Sequence, residues 1–197
     1  MSDLGNGGGE VVLVRHAETE WSRAGRHTGR SDIPLTDDGR SAARALAGRL
    51  AARSFSHVLV SPSLRARETC ELSGLADGAS ERADLLEWDY GGYEGLTTAE
   101  IRSQQPDWSL WRDGCPDGED AAAVGARADR VIEELRGLEG EVAVFSHGHM
   151  LRVLGARWIG LVPQAGAGLG LSTGAVCALG HERATPILAL WNETITP

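Results

Sequence analysis

The chain contains 197 residues, 42% of them hydrophobic, and its formal net charge is −9. That size and apolar content suit one domain with a single core, while the acidic charge argues against nucleic acid or an anionic membrane as a partner. All 19 basic residues are arginines, which excludes mechanisms that depend on a lysine, such as Schiff bases and P-loop phosphate binding.

Residues 1–9 are Gly-rich and polar, and we expect a flexible tail here rather than a signal peptide. Residues 10–197 are expected to form a single domain, because no linker or repeat divides them and no apolar run approaches the ~20 residues that cross a bilayer. The three cysteines are widely spaced and follow neither a metal-binding nor a redox pattern. We therefore expect reduced thiols in a cytoplasmic protein.

The first predicted strand carries the most informative pair of residues. The apolar, β-branched run over residues 10–14 is typical of a buried strand, and Arg15 and His16 follow it directly. Ligands bind at the C-terminal ends of strands in open α/β sheets, where a guanidinium can hold phosphate oxygens and a neutral imidazole can act as a nucleophile. A histidine at a strand end is more often structural, so this interpretation needs partners elsewhere in the chain.

Strands and helices alternate over the remainder of the chain. A Gly- and Arg-rich loop over residues 22–34 precedes a helix for which Thr36 is the expected N-cap. Apolar periodicity predicts helices over 37–53, 63–75, 97–104, 119–138 and 147–160, and strands over 57–60, 141–145, 174–179 and 186–191. This alternation predicts a three-layer α/β/α sandwich with a mostly parallel central sheet.

Three of the predicted strands end in a similar way. They are followed by Arg15-His16, by the run Ser61-Pro62-Ser63-Leu64-Arg65, and by Ser146-His147-Gly148. Because parallel strands present their carboxyl ends at one edge of a sheet, two arginines and two histidines can converge there on one anion. A helix that begins near His147 would add backbone N–H donors and the positive end of its dipole.

These segments resemble the signatures of the histidine phosphatase superfamily, in its phosphoglycerate-mutase-like branch. The similar segments, in the family's order, are VRHAETEWS (14–22), SPSLRARET (61–69), LEWDYGGYEG (86–95) and FSHG (145–148). The resemblance extends over nearly the whole chain, from about residue 10 to residue 191. In segments 87–91 and 111–116 the chain looks most like short actinobacterial enzymes assigned as acid phosphatases.

The resemblance implies a role for each residue of the cluster. His16 would attack phosphorus and form a phosphohistidine, which water then hydrolyses. Arg15 and Arg65 would hold the equatorial oxygens of the phosphoryl group, where the charge of the transition state spreads. His147 would donate a hydrogen bond to the same group.

Glu87 is the residue that the resemblance assigns as proton donor. It would protonate the leaving oxygen and then activate water. The nearby carboxylates Asp89 and Glu94 compete for this assignment.

Four further positions match substrate-binding residues of the family: Ser22, Thr28, Gly29 and Gly148. At Gly29 the missing side chain would permit close approach of the backbone to the substrate phosphate. Ser22 stands where many members carry asparagine. Serine still donates one hydrogen bond, but its shorter reach leaves the phosphate contact open.

The resemblance implies neither a metal nor another cofactor. His149 raises an alternative, since His16, His147 and His149 with a carboxylate would make a ligand set. Alternate residues of this segment need not face the same site, and we expect no metal. The expected partner is a small phosphorylated substrate, and a homodimer is left open.

Hydrolysis of small phosphate monoesters is the activity we expect, with mutase-type phosphoryl transfer or a catalytically weak phospho-ligand-binding module as alternatives. A mutase must hold a second anionic group, yet residues 88–120 carry eight acidic side chains and only two basic ones, Arg102 and Arg112. The long insertion of similar mutases is also missing. A binding module would have lost the nucleophile or the acid, and both are present here. Five aromatic side chains of this segment either line a pocket for apolar monoesters or simply pack: Trp88, Tyr90, Tyr93, Trp108 and Trp111.

Overall fold

The computed structural model describes residues 10–195, and the predicted tail over residues 1–9 lies outside them. Its six-stranded sheet has the order β3-β2-β4-β1-β5-β6. Adjacent strands are parallel from β3 to β1, whereas β5 is antiparallel to both of its neighbours. The strands are β1 (Val11–Arg15), β2 (Phe55–Val60), β3 (Ala79–Glu81), β4 (Glu141–Ser146), β5 (Val176–Glu182) and β6 (Thr185–Glu193).

Helices cover both faces of the sheet. They are α1 (Glu20–Arg23), α2 (Asp37–Leu50), α3 (Leu64–Leu72), α4 (Thr98–Gln104), α5 (Leu110–Asp113), α6 (Ala121–Arg136) and α7 (Gly148–Trp158). Within residues 10–195, no helix combines the length and the apolar character needed to span a membrane.

The strands send alternate side chains into two cores, as a sheet covered on both faces requires. On β1, Val11 and Leu13 belong to the core that contains the apolar faces of α6 and α7. Val12 and Val14 belong to a second core, with residues of α2 and α3. The predicted three-layer α/β/α sandwich is therefore confirmed.

The structure differs from the sequence prediction chiefly at the ends of elements. The edge strand β3 was not predicted, because three residues of mixed polarity carry no periodic signal. The helix predicted over 37–53 ends at Leu50. Beyond it, Arg53 pairs at 2.7 Å with Glu10 and at 3.2 Å with Glu141, at the beginning of β1 and of β4. The antiparallel direction of β5 also had no signature in the sequence.

Candidate active site

The three strand ends that the sequence singled out lie side by side. Arg15 at the end of β1 is in register with Ser146 at the end of β4, and the His16 N–H donates to the Ser146 carbonyl at 2.9 Å. On the other side of β4, the Ser61 N–H donates to the Phe145 carbonyl at 2.9 Å. The parallel order β2-β4-β1 thus brings the predicted phosphate-binding segments to one edge of the sheet.

A hydrogen bond to its own chain fixes the ring of His16. Its Nδ1 lies 2.8 Å from the carbonyl oxygen of Ala17. That oxygen can only accept a hydrogen bond, so Nδ1 carries the proton of the neutral ring and Nε2 is unprotonated. Burial, together with the guanidinium groups of Arg15 and Arg65, lowers the pKa of His16 well below its usual range. The ring also lies on the wall of a cavity. A neutral imidazole with a free nitrogen is the form that a nucleophile requires.

Arg15 and Arg65 lie near this histidine and are held by backbone carbonyls. Arg15 donates to Leu171 at 2.5 Å. Arg65 donates at 2.9 Å to Ser31 and at 2.9 and 3.1 Å to the carbonyls of Thr28 and Gly29. Burial lowers the pKa of both guanidinium groups. A bound anion would offset this cost of holding two buried positive charges.

His147 completes the cluster at the N-cap of α7. Its ring centroid is 5.2 Å from that of His16, and its Nε2 is 2.7 Å from the hydroxyl of Ser61. Its side chain does not cap the helix. Burial, then the charge of Arg65, lowers the pKa of His147 well below its usual range, so the ring is neutral.

Buried nitrogen atoms without a hydrogen-bond partner are concentrated here. Among the buried side-chain nitrogen and oxygen atoms of residues 10–195, four have no partner, and three of them are Nε of Arg15, Nε of Arg65 and Nδ1 of His147. Buried polar atoms are nearly always paired. Three unpaired nitrogens around one histidine therefore suit a site that receives an anion.

Glu87 is the carboxylate that faces this cluster. Its oxygens accept from the backbone N–H groups of Trp88, His149 and Met150 at 2.9, 3.0 and 2.9 Å, which fixes it against the first turn of α7. Arg127 on α6 holds the same segment by donating to the Leu86 carbonyl at 2.8 Å. This positioning role of Arg127 had no signal in the sequence, where it looks like one arginine of an amphipathic helix.

The two competing carboxylates are engaged elsewhere. Asp89 pairs with Arg30 at 3.1 Å, and Glu94 accepts from the N–H groups of Gly29 and Ser31. Neither lines the cavity, whereas Glu87 does.

The cavity above the cluster has a volume of about 300 Å³. Its wall is formed by Arg15 and His16, five residues of the loop over 22–28, Glu87, Tyr90, His149 and residues from 98–111. The wall therefore combines charged, hydroxyl and aromatic groups, and its volume suits a small ligand.

The predicted substrate-binding residues divide into two groups. Ser22 and Thr28 line the cavity, although the Ser22 hydroxyl already donates to the Thr19 carbonyl at 3.0 Å. Gly29 and Gly148 lie behind the wall. An added Cβ would come within 2.8 Å of the Glu94 carboxylate at Gly29 and within 3.1 Å of the Arg15 guanidinium at Gly148. At both positions glycine makes room for a neighbouring protein side chain.

His149 belongs to an aromatic wall of the cavity. Its Nδ1 lies 2.6 Å from the Tyr90 hydroxyl, and its ring meets that of Trp111 at a centroid distance of 5.4 Å. Over residues 10–195, no three histidine, cysteine, aspartate or glutamate side chains are grouped as metal ligands.

Several cavity residues were missed by sequence reasoning. Arg26 and His27 lie in the Gly- and Arg-rich loop after β1, where no periodic pattern distinguishes them, and Ser109 and Leu110 lie in the irregular segment. The sequence left open whether the five aromatic residues of 88–120 line a pocket or pack in the core, and the structure shows both cases. Tyr90, Trp108 and Trp111 reach the cavity wall, while Trp88 and Tyr93 only pack.

A sheet edge with one buried and one half-buried arginine, two neutral histidines and a fixed carboxylate suits the chemistry of phosphoryl groups. The family model described as "Histidine phosphatase superfamily (branch 1)" matches residues 11–194. The chain belongs to this superfamily, and the prediction of an enzyme that hydrolyses phosphoric monoesters is confirmed at that level.

Curated relatives include phosphatases and mutases. An acid phosphatase of Mycobacterium tuberculosis is 40% identical, over 95% of this chain and 94% of its own. Sedoheptulose 1,7-bisphosphatase of Saccharomyces cerevisiae is 36% identical, over 78% of this chain and 68% of its own. A probable phosphoglycerate mutase GpmB of Serratia proteamaculans is 31% identical, over 92% of this chain and 89% of its own.

Solved structures share the fold as well as the sequence. The structure of a Mycobacterium tuberculosis protein superposes with a TM-score of 0.88 at 38% identity, over 94% of this chain and 98% of that one.

Proposed function

We propose that this enzyme hydrolyses small phosphate monoesters through a phosphohistidine formed on His16, with Glu87 as proton donor. The observation that carries the proposal is the group of three unpaired buried nitrogens, from Arg15, Arg65 and His147, around a neutral His16. An acid phosphatase as the relative with 40% identity supports hydrolysis as the outcome.

The proposed reaction assigns each step to one residue of the cluster. Nε2 of His16 attacks phosphorus as the bond to the leaving oxygen breaks, and Glu87 gives its proton to that oxygen. Arg15 and Arg65 stabilise the charge on the phosphoryl oxygens, and Nδ1 of His147 donates to one of them. Glu87, now deprotonated, takes a proton from water, which attacks the phosphohistidine and releases phosphate.

The proposal is tested with a chromogenic phosphate monoester. His16→Ala is expected to lower kcat at least a thousandfold, because the nucleophile is lost. His57→Ala, which changes a partly exposed histidine at the far part of β2, is the matched control and should retain wild-type turnover. Chelators should have no effect on either protein, since no step uses a metal. Normal turnover by the His16 variant would refute the mechanism.

A second measurement detects the intermediate itself. With ³²P-labelled substrate, rapid quenching of the wild-type enzyme should give an acid-labile, base-stable label on the protein that His16→Ala lacks. Glu87→Gln should lower turnover by 10² to 10⁴, the range of general acid catalysis. Added phosphoglycerate should release free phosphate; exchange between its isomers would instead support the mutase alternative.

A further inference from the structure

The cavity carries more positive charge than one scissile phosphate group needs. Besides Arg15 beside the nucleophile, Arg26 and Arg102 also line it. Across residues 10–195, Glu87 is the only carboxylate on its wall. This local excess of guanidinium groups occurs in a chain whose formal net charge is −9, so it does not reflect overall composition.

Both of these arginines are positioned by helix α4: Arg102 lies on the helix, and Arg26 contacts its N-cap. Arg26 forms a β-bridge with Thr97, the N-cap of the helix, and its Nη1 donates to the Gly95 carbonyl at 2.6 Å. Arg102 lies one turn after Thr98, so both residues face the cavity. The Nε of Arg102 donates to the Trp108 carbonyl at 2.9 Å.

Each guanidinium keeps donors for a ligand. Within the described part of the chain, the hydrogen bond of the Arg102 side chain uses Nε alone, which leaves both of its Nη groups as donors. Arg26 has one carboxylate nearby, at 3.5 Å from Glu100. That carboxylate is engaged by the Thr97 N–H at 2.7 Å and the Thr97 hydroxyl at 2.9 Å, in the capping box of α4.

The acidic residues of 88–120 do not cancel this charge. None of the eight lines the cavity. Five of them have partners away from Arg26 and Arg102: Asp89, Glu94, Asp113, Glu119 and Asp120. Glu100 lies 3.5 Å from Arg26, and its carboxylate also accepts from the N-cap of α4. The composition of this segment therefore does not by itself decide whether the cavity accepts a second anionic group, because it does not show which side chains line the cavity.

We propose that the substrate carries a second anionic group, a phosphate or a carboxylate, which Arg26 and Arg102 bind while the scissile phosphate lies at His16. This proposal rests on the phosphatase function proposed above. A guanidinium binds either anion through paired N–H donors. The hydroxyls of Thr98 and Ser109 on the same wall suit a polar carbon chain between the two anionic ends.

The test compares three esters that differ only at the far end of a propyl chain: 3-hydroxypropyl phosphate, propane-1,3-diyl bisphosphate and 3-phosphonooxypropanoate. The wild-type kcat/KM should be at least tenfold higher for one or both anionic esters than for the hydroxyl ester. Comparing kcat/KM for the two anionic esters shows whether the second group bound is a phosphate or a carboxylate.

Arg102→Gln should reduce this preference about tenfold, and Arg26→Gln serves as a second variant should the first fail to fold. The matched control is Arg112→Gln, on α5 and bonded to Asp113 at 2.7 Å, which should keep the preference. Equal kcat/KM for the three esters in wild type, or an equal loss on all three in both cavity variants, would overturn the inference. No turnover of any ester by wild type would overturn the phosphatase proposal as well.

Discussion

The imidazole of His16 illustrates how one hydrogen bond selects a reactive atom. Its sequence position identifies a candidate nucleophile, but either ring nitrogen could carry the proton. The carbonyl of Ala17, 2.8 Å from Nδ1, makes Nε2 the free nitrogen. Burial then keeps the ring neutral by lowering its pKa, so it remains a nucleophile in mildly acidic solution.

The hydroxyl of Tyr90 offers a test at the same scale. Burial raises the pKa of Tyr90 well above its usual range and lowers that of His149 well below it, so a neutral phenol donates to a neutral ring at 2.6 Å. Tyr90→Phe leaves Nδ1 of His149 without its donor, and we expect a loss of about 1–3 kcal/mol in the free energy of unfolding, measured with urea.

The control for this change is Tyr93→Phe. Tyr93 packs against Trp108 with ring centroids 5.3 Å apart, and over residues 10–195 its hydroxyl has no side-chain hydrogen bond of the kind that Tyr90 makes. This variant should change stability by less than about 0.5 kcal/mol. Equal effects of the two substitutions would show that the Tyr90–His149 bond contributes nothing.

At the scale of elements, α2 contains two glycines with opposite requirements. Gly48 is exposed near the end of the helix, and an added Cβ would contact nothing within 4 Å. Gly39 lies in the first turn, where a Cβ would fall 2.2 Å from the carbonyl oxygen of Glu18. Helix propensity therefore decides the effect of a substitution at Gly48. At Gly39 the effect is decided by steric overlap with the backbone of Glu18.

We expect Gly48→Ala to stabilise the protein by up to about 1 kcal/mol, because alanine loses less backbone entropy in a helix. Gly39→Ala should destabilise it, since the first turn of α2 must move away from Glu18. Thermal unfolding of the two variants, followed by circular dichroism, measures both effects. A destabilised Gly48 variant, or a neutral Gly39 variant, would contradict this account.

At the scale of the whole molecule, the site concentrates three histidines that the fold keeps neutral, of which His16 and His147 are buried and His149 is half-buried. Burial lowers the pKa of His16, His147 and His149 well below the ordinary value of 6.5. Below pH 6.5 the unfolded chain takes up protons at these positions and the folded chain does not. Stability therefore falls as the pH decreases from 6.5 towards the folded-state values.

This linkage predicts a lower melting temperature at pH 5.5 than at pH 6.5. Each of the three histidines contributes up to a tenfold loss in the folding equilibrium constant per pH unit. Carboxylates paired with arginine, such as Glu18, have an ordinary pKa of 4.5, and pairing lowers it further. Their protonation therefore affects stability only at a pH below this window. His149→Gln should reduce the slope of stability against pH. A pH-independent stability over this window would refute the prediction.

Much of the site followed from the sequence because its chemistry is local. Three short segments each place polar residues directly after an apolar strand, and parallel strands bring such segments to one edge. The competition among Glu87, Asp89 and Glu94 could not be decided in this way, because it depends on contacts with Arg30, Gly29 and the first turn of α7.

By itself, the sequence determined the α/β/α layering, the strand ends that carry the site and the family, because periodicity and short motifs are properties of neighbouring residues. The tertiary structure decided the direction of β5, the free nitrogen of His16 and the charge of the cavity wall. The direction of β5 and the charge of the cavity wall depend on residues far apart in the chain: Arg26 and Arg102 line one wall, while none of the acidic side chains beside Arg102 in sequence lines it. The free nitrogen of His16 depends on the backbone conformation that brings the Ala17 carbonyl to Nδ1. Composition records the charges of a segment, and only packing decides which of them a substrate meets.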